Sequence, residues 1–165
     1  MKTLFIGGMK SGKSCLAENY ILKNFSSQKP YYLATTELLD AEMQQRINIH
    51  KQRREEFFIT LEEPLKLYGT LKKCNHPVLV ECITMWLNNA LYHQVSDAQI
   101  LDELEDVMSL QLDLVLVHNE IGLGIIPDNA LARRFVDLSG KAAQIMAKNC
   151  DEVFFCSAGL KLKMK

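Results

Sequence analysis

The sequence predicts an α/β domain built on a mostly parallel sheet flanked by helices, with an antiparallel strand at the C-terminal edge. Three observations point there. Short runs rich in Val, Ile, Leu and aromatic residues alternate with longer segments of helical period. The runs are continuously apolar rather than alternating, as strands covered on both faces must be. A glycine-rich turn of phosphate-loop spacing joins the first run to the first helix.

The first strand is Thr3–Ile6, and a helix follows from about Lys13 to Asn24. Tyr31–Ala34 is a second strand, and Asp40–Phe57 has the length and pattern of a helix. The compact run Val78–Cys82 is a third strand, followed by shorter helices over Met85–His93 and Asp97–Gln111. Leu114–Val117 is a fourth strand. In Asn129–Lys148 a helical stripe carries Leu131, Phe135, Leu138, Ala142, Ile145 and Met146. Val153–Cys156 is a fifth strand, and Ser157-Ala158-Gly159 turns the chain back into Leu160–Lys165. That tail alternates apolar and basic residues with a period of two, so its lysines protect a sheet edge. No repeat, linker or low-complexity stretch divides the 165 residues, so residues 1–165 read as one domain.

Charge and cysteine usage narrow the function. Nineteen Lys and Arg against 20 Asp and Glu leave a net charge of -1, without the basic excess of a dedicated nucleic-acid binder. No apolar stretch reaches the roughly 20 residues of a membrane-spanning helix, and Gly7, Gly8 and Lys10 break the N-terminal run too early for a signal peptide. Cys15, Cys74, Cys82, Cys150 and Cys156 are odd in number and never form a C-x-x-C pair. They read as reduced thiols in the cytoplasm.

Gly7-Gly8-Met9-Lys10-Ser11-Gly12-Lys13-Ser14 matches G-x-x-x-x-G-K-[ST] in full, between a strand and a helix. Such a loop wraps phosphates with backbone N–H groups, Lys13 meets the β- and γ-phosphates, and the Ser14 hydroxyl is a ligand for Mg²⁺. Glu81 ends an apolar strand. It reads either as a solvated terminus or, in a chain with a phosphate loop, as the acid that orients the Mg²⁺. Arg46, His50, Arg53 and Arg54 share one helical face. By spacing alone that face is a solvated charge run, yet it would also draw an anionic triphosphate. His118 ends a strand and reads as a packing histidine; His76 and His93 lack cationic company.

Beyond the phosphate loop, further motifs follow in order: Ala34-Thr35-Thr36, Asp40-x-Glu42-Met43, Arg46-Ile-x-x-His50-x-x-x-Arg54, Thr60-x-Glu62, Glu81-Cys-Ile-Thr84, Asn119–Pro127 and Leu131–Phe135. From Thr3 to Lys165 the chain closely resembles the bifunctional adenosylcobinamide kinase/adenosylcobinamide-phosphate guanylyltransferase family of cobalamin biosynthesis. The resemblance implies a RecA-like P-loop fold and a homotrimer. It implies phosphorylation of adenosylcobinamide by ATP or GTP, then GMP transfer from GTP to adenosylcobinamide phosphate through a covalent GMP–histidine. His50 would be that nucleophile. Ala34, Thr35, Thr36, Lys51, Gln52, Arg53, Arg54, Glu62 and Thr84 match positions that contact GTP, with Glu62 placed to accept from guanine. Two other readings stand beside it. One is a plain P-loop small-molecule kinase without nucleotidyl transfer; the other is a nucleotide-gated switch, although the chain lacks the N-K-x-D guanine motif. Gly122 and Gly124 fit either a tight turn or direct substrate contact.

Overall fold

The computed structural model describes residues 1–37 and 56–165. The predicted helix Asp40–Phe57 lies almost wholly outside the described residues; of its span, Glu56 and Phe57 form a turn. Seven strands form one sheet: β1 (Lys2–Gly7), β2 (Tyr31–Ala34), β3 (Ile59–Glu62), β4 (Val78–Glu81), β5 (Leu114–Asn119), β6 (Glu152–Ser157) and β7 (Leu160–Lys163). Among the described residues the helices are α1 (Lys13–Asn24), α2 (Leu67–Leu71), α3 (Ile83–Tyr92), α4 (Asp97–Ser109) and α5 (Ala130–Asn149). The strand order is β3-β2-β4-β5-β1-β6-β7, with every pairing parallel except β6–β7. One strand, β5, separates the phosphate-loop strand β1 from the acid-bearing β4.

The continuous apolar runs are explained by cover on both faces. Along β1, Leu4 and Ile6 face one core and Phe5 faces the other; Val78 and Val80 oppose Leu79 on β4, and Leu116 opposes Val117 on β5. Helix α1 closes one face with Ala17, Tyr20 and Ile21, spaced i, i+3, i+4. The other face takes Leu67 and Leu71 from α2, Trp86 and Leu87 from α3, Ile100 and Leu104 from α4, and Leu138, Ala142 and Met146 from α5.

The structure corrects several expectations. β3 and α2 were not predicted: all four residues of β3 are exposed or half-buried at a sheet edge, so no continuous apolar run marks them. The third predicted strand stops at Glu81, because Cys82 caps α3, and that helix starts two residues early at Ile83. Leu131 leaves the predicted stripe of α5 and is 62% exposed, since the buried residues of that helix begin only at Leu138. The C-terminal edge strand forms as predicted. Lys161 lies over the Phe154 ring, 4.5 Å from its centroid, on the α1 side, while Leu160 and Leu162 stay exposed.

Candidate active site

Parallel strands bring their carboxyl ends to one edge, where open α/β sheets place their ligands. In register, Gly7 of β1 sits beside Asn119 of β5, and Ala34 of β2 lies between Glu62 of β3 and Glu81 of β4. Motifs far apart in sequence therefore share one rim.

The phosphate loop springs from β1 into α1. Lys10 and Gly12 take the left-handed conformation, at φ 58° and 90°. Lys13 is 93% buried and folds back to donate to the Gly8 carbonyl at 3.2 Å, which holds its ammonium across the loop. The Ser11 hydroxyl is buried without a hydrogen-bond partner among the described residues. An anionic oxygen in the cradle would satisfy it. The Ser14 hydroxyl donates to Glu81 Oε1 at 2.8 Å. These two hard oxygen donors, set side by side next to the loop, fit Mg²⁺, which takes one or two protein oxygens and completes its shell with phosphate and water. Among the described residues no cluster of three or more His, Cys, Asp and Glu side chains offers a metal cage of its own.

A cleft of about 870 Å³ opens from this point. Lys10, Lys13, Ser14 and Glu81 form its phosphate end; Cys15, Glu18, Asn19 and Leu22 line it along α1, opposite Tyr32, Phe57 and Phe58.

The C-terminal hairpin braces the loop, a contact with no signature in the sequence. The Gly159 N–H donates to the Ser11 carbonyl at 2.9 Å. A trans peptide sets its C=O and N–H on opposite sides, so this anchor turns the Gly12 N–H away from the hairpin. Ala158 and Gly159 are both left-handed, at φ 52° and 78°, as a two-residue hairpin turn demands. The fit is tight: a Cβ on Gly12 would stand 2.9 Å from Gly159 Cα, and one on Gly7 only 2.3 Å from the Cys156 carbonyl oxygen. Gly7→Ala is therefore expected to push β6 from β1 and cost about 1–3 kcal/mol. That corresponds to a fall in melting temperature of roughly 2–10 °C, which calorimetry checks.

The structure separates the other predicted residues. Thr35 is fully buried, and its hydroxyl donates to the Cys82 carbonyl at 2.7 Å while accepting from the Cys82 N–H at 2.9 Å. Thr84 accepts from the Asn119 N–H at 2.7 Å and meets His118 Nδ1 at 3.1 Å. Both hydroxyls are engaged inside the protein. His118 also meets Ser139 Oγ at 3.0 Å, and burial, reinforced by the Lys13 charge, holds its pKa down at about 4. It is a neutral, satisfied core histidine, as the sequence suggests. Ala34 and Thr36 are half-buried at the rim, and Glu62 is exposed there. His50, Lys51, Gln52, Arg53 and Arg54, with Arg46, lie outside the described residues. Sequence reasoning missed Asn89, whose amide donates to the Thr35 carbonyl at 2.6 Å and the Pro64 carbonyl at 3.1 Å, tying the ends of β2 and β3 to α3.

The similarity to known proteins runs over almost the whole chain. The family model for cobinamide kinase / cobinamide phosphate guanyltransferase matches residues 3–164. The bifunctional adenosylcobalamin biosynthesis protein CobP of Pseudomonas aeruginosa is 40% identical over 173 residues, covering 100% of this chain and 98% of its own. The corresponding protein CobU of Escherichia coli K12 is 33% identical over 184 residues, covering 100% of both chains. Among solved structures, the flagellar accessory protein FlaH of Methanocaldococcus jannaschii aligns with a TM-score of 0.48 and 10% identity, over 93% of this chain and 70% of its own.

Proposed function

This chain belongs to the cobinamide kinase / cobinamide phosphate guanyltransferase family, and on that premise we propose that it catalyses both family reactions on adenosylcobinamide. The first step transfers the γ-phosphoryl group of a nucleoside triphosphate to the substrate hydroxyl. The second moves GMP from GTP onto the adenosylcobinamide phosphate so formed. The observation that carries the reading is the Ser14–Glu81 contact beside a braced phosphate loop, in a chain matched to the family from residue 3 to 164.

Both steps are displacements at phosphorus, which need positioning and charge neutralisation more than covalent chemistry from the protein. Lys13 supplies a fixed positive charge, and the loop supplies N–H groups oriented before the nucleotide arrives. Ser14 and Glu81 would hold Mg²⁺, which neutralises charge on the phosphate oxygens when bound. In the second step a neutral His50 nitrogen attacks the α-phosphorus. A P–N bond forms as the P–O bond to pyrophosphate breaks. An oxygen of the substrate phosphate then displaces His50, restoring the imidazole. Arg46, Arg53 and Arg54 suit the phosphates through their guanidinium forks. Glu62 accepts from guanine N1 and N2, a pattern adenine does not offer. The same family resemblance supports a homotrimer working in the cytoplasm. Among the described residues no helix is long and apolar enough to cross a membrane.

The test is retention of label. Incubated with α-labelled GTP and Mg²⁺ and then denatured, the protein is expected to keep label as a phosphoramidate, released by acid and stable in base. A plain kinase or a nucleotide switch keeps none. Label that survives acid would assign the adduct to a residue other than histidine.

A further inference from the structure

We propose that the loop after β5 is the docking surface for the corrin ring of the acceptor, an inference that rests on the reading above and assigns it a second contact region. The loop is built rather than loose. At its start the Glu120 N–H donates to the Gly7 carbonyl at 2.9 Å, and the Glu120 carboxylate accepts from the Gly122 N–H at 2.6 Å. At its end the Arg133 guanidinium holds the Pro127 and Asp128 carbonyls at 2.9 and 2.6 Å, and the Asn129 side chain caps α5. Between these anchors three aliphatic side chains point into solvent: Leu123 is 78% exposed, Ile125 96% and Ile126 82%; Leu131, in the first turn of α5 just after the loop, is 62% exposed.

Large aliphatic side chains held out by an ordered loop signal a partner. Two features select it. The loop is hydrogen-bonded to Gly7, the first residue of the phosphate loop, so it stands on the rim from which an acceptor must reach the γ-phosphorus. The four side chains expose on the order of 500 Å², short of the ~800 Å² that each partner gives a stable protein interface. An area of that size matches one large ligand. A corrin macrocycle carries methyl groups over its faces and amides round its edge. It would rest on Leu123, Ile125 and Ile126 while its aminopropanol arm reaches toward Lys13.

The double variant Ile125→Ser/Ile126→Ser tests this, with cobinamide and nucleoside triphosphate varied separately. The expected result is a rise in KM for cobinamide of roughly tenfold or more, from two lost aliphatic contacts, with KM for the nucleotide and kcat at saturating cobinamide within twofold of wild type. Ile125→Leu/Ile126→Leu should restore the wild-type KM. An unchanged KM for cobinamide overturns the proposal. So does a drop in sedimentation coefficient accompanying the rise, which would give the surface to a second copy of the chain. A wild-type protein that binds nucleotide but does not turn over cobinamide would instead overturn the functional reading, and this proposal with it.

Discussion

Lys13→Ala is expected to lower both cobinamide phosphorylation and guanylyl transfer by roughly 10²–10³-fold, the usual cost of removing a preorganised charge that meets developing negative charge. The structure explains why the loss should be that large. Lys13 is buried at the floor of the loop, and it donates to a neutral carbonyl, that of Gly8, at 3.2 Å. The ammonium is thus in place before the nucleotide binds, and it gains most when phosphate oxygens take up charge. Lys13 contributes to neither apolar core, so the variant should fold, as circular dichroism can verify. Both activities are measured on the same preparation. If guanylyl transfer stayed near normal while phosphorylation vanished, the two steps would not share one phosphate site.

The second large effect is selective. His50→Asn should abolish guanylyl transfer and leave cobinamide phosphorylation within a few-fold of wild type. In the first step the substrate hydroxyl attacks the γ-phosphorus directly, so no protein nucleophile is consumed. In the second, one displacement between two highly charged phosphates is replaced by two through an imidazole, and Asn lacks the nucleophilic nitrogen. The readout is the labelled adduct together with both product assays. A variant that still accumulates acid-labile label would remove His50 from the mechanism, and with it the role of its arginine neighbours.

Sheet, phosphate loop and the acid that ends β4 were legible in the sequence because each leaves a local mark. Two-sided burial makes Thr3–Ile6 and Leu114–Val117 continuously apolar, and the loop's geometry demands glycine at set intervals. Ile59–Glu62 escaped because an edge strand half in water takes its identity from its partner, Tyr31–Ala34, rather than from its own composition. Leu131 was misplaced for a related reason. Helical period reports which side of a helix is apolar, but not where the surface beneath it ends. Thr35 and Thr84 show the limit for polar residues. A hydroxyl has the same letter whether it meets a ligand or locks Cys82 and Asn119 in place. The Gly159–Ser11 contact was invisible because nothing in either segment names the other.

The strand order also governs how this molecule must be born. β1 pairs only with β5 and β6, whereas β2 finds both its neighbours, β3 and β4, well before either of those is made. On the ribosome, at ~5–20 residues per second, the nascent Leu4-Phe5-Ile6 segment therefore waits on the order of 10 s before Leu114–Asn119 exists to receive it. During that interval the motif that will hold the nucleotide is already translated but has no sheet to stand in. Its brace comes later still, since Gly159 follows the whole of β6. Nucleotide therefore meets a finished phosphate site only after β5 and β6 have taken their places beside β1.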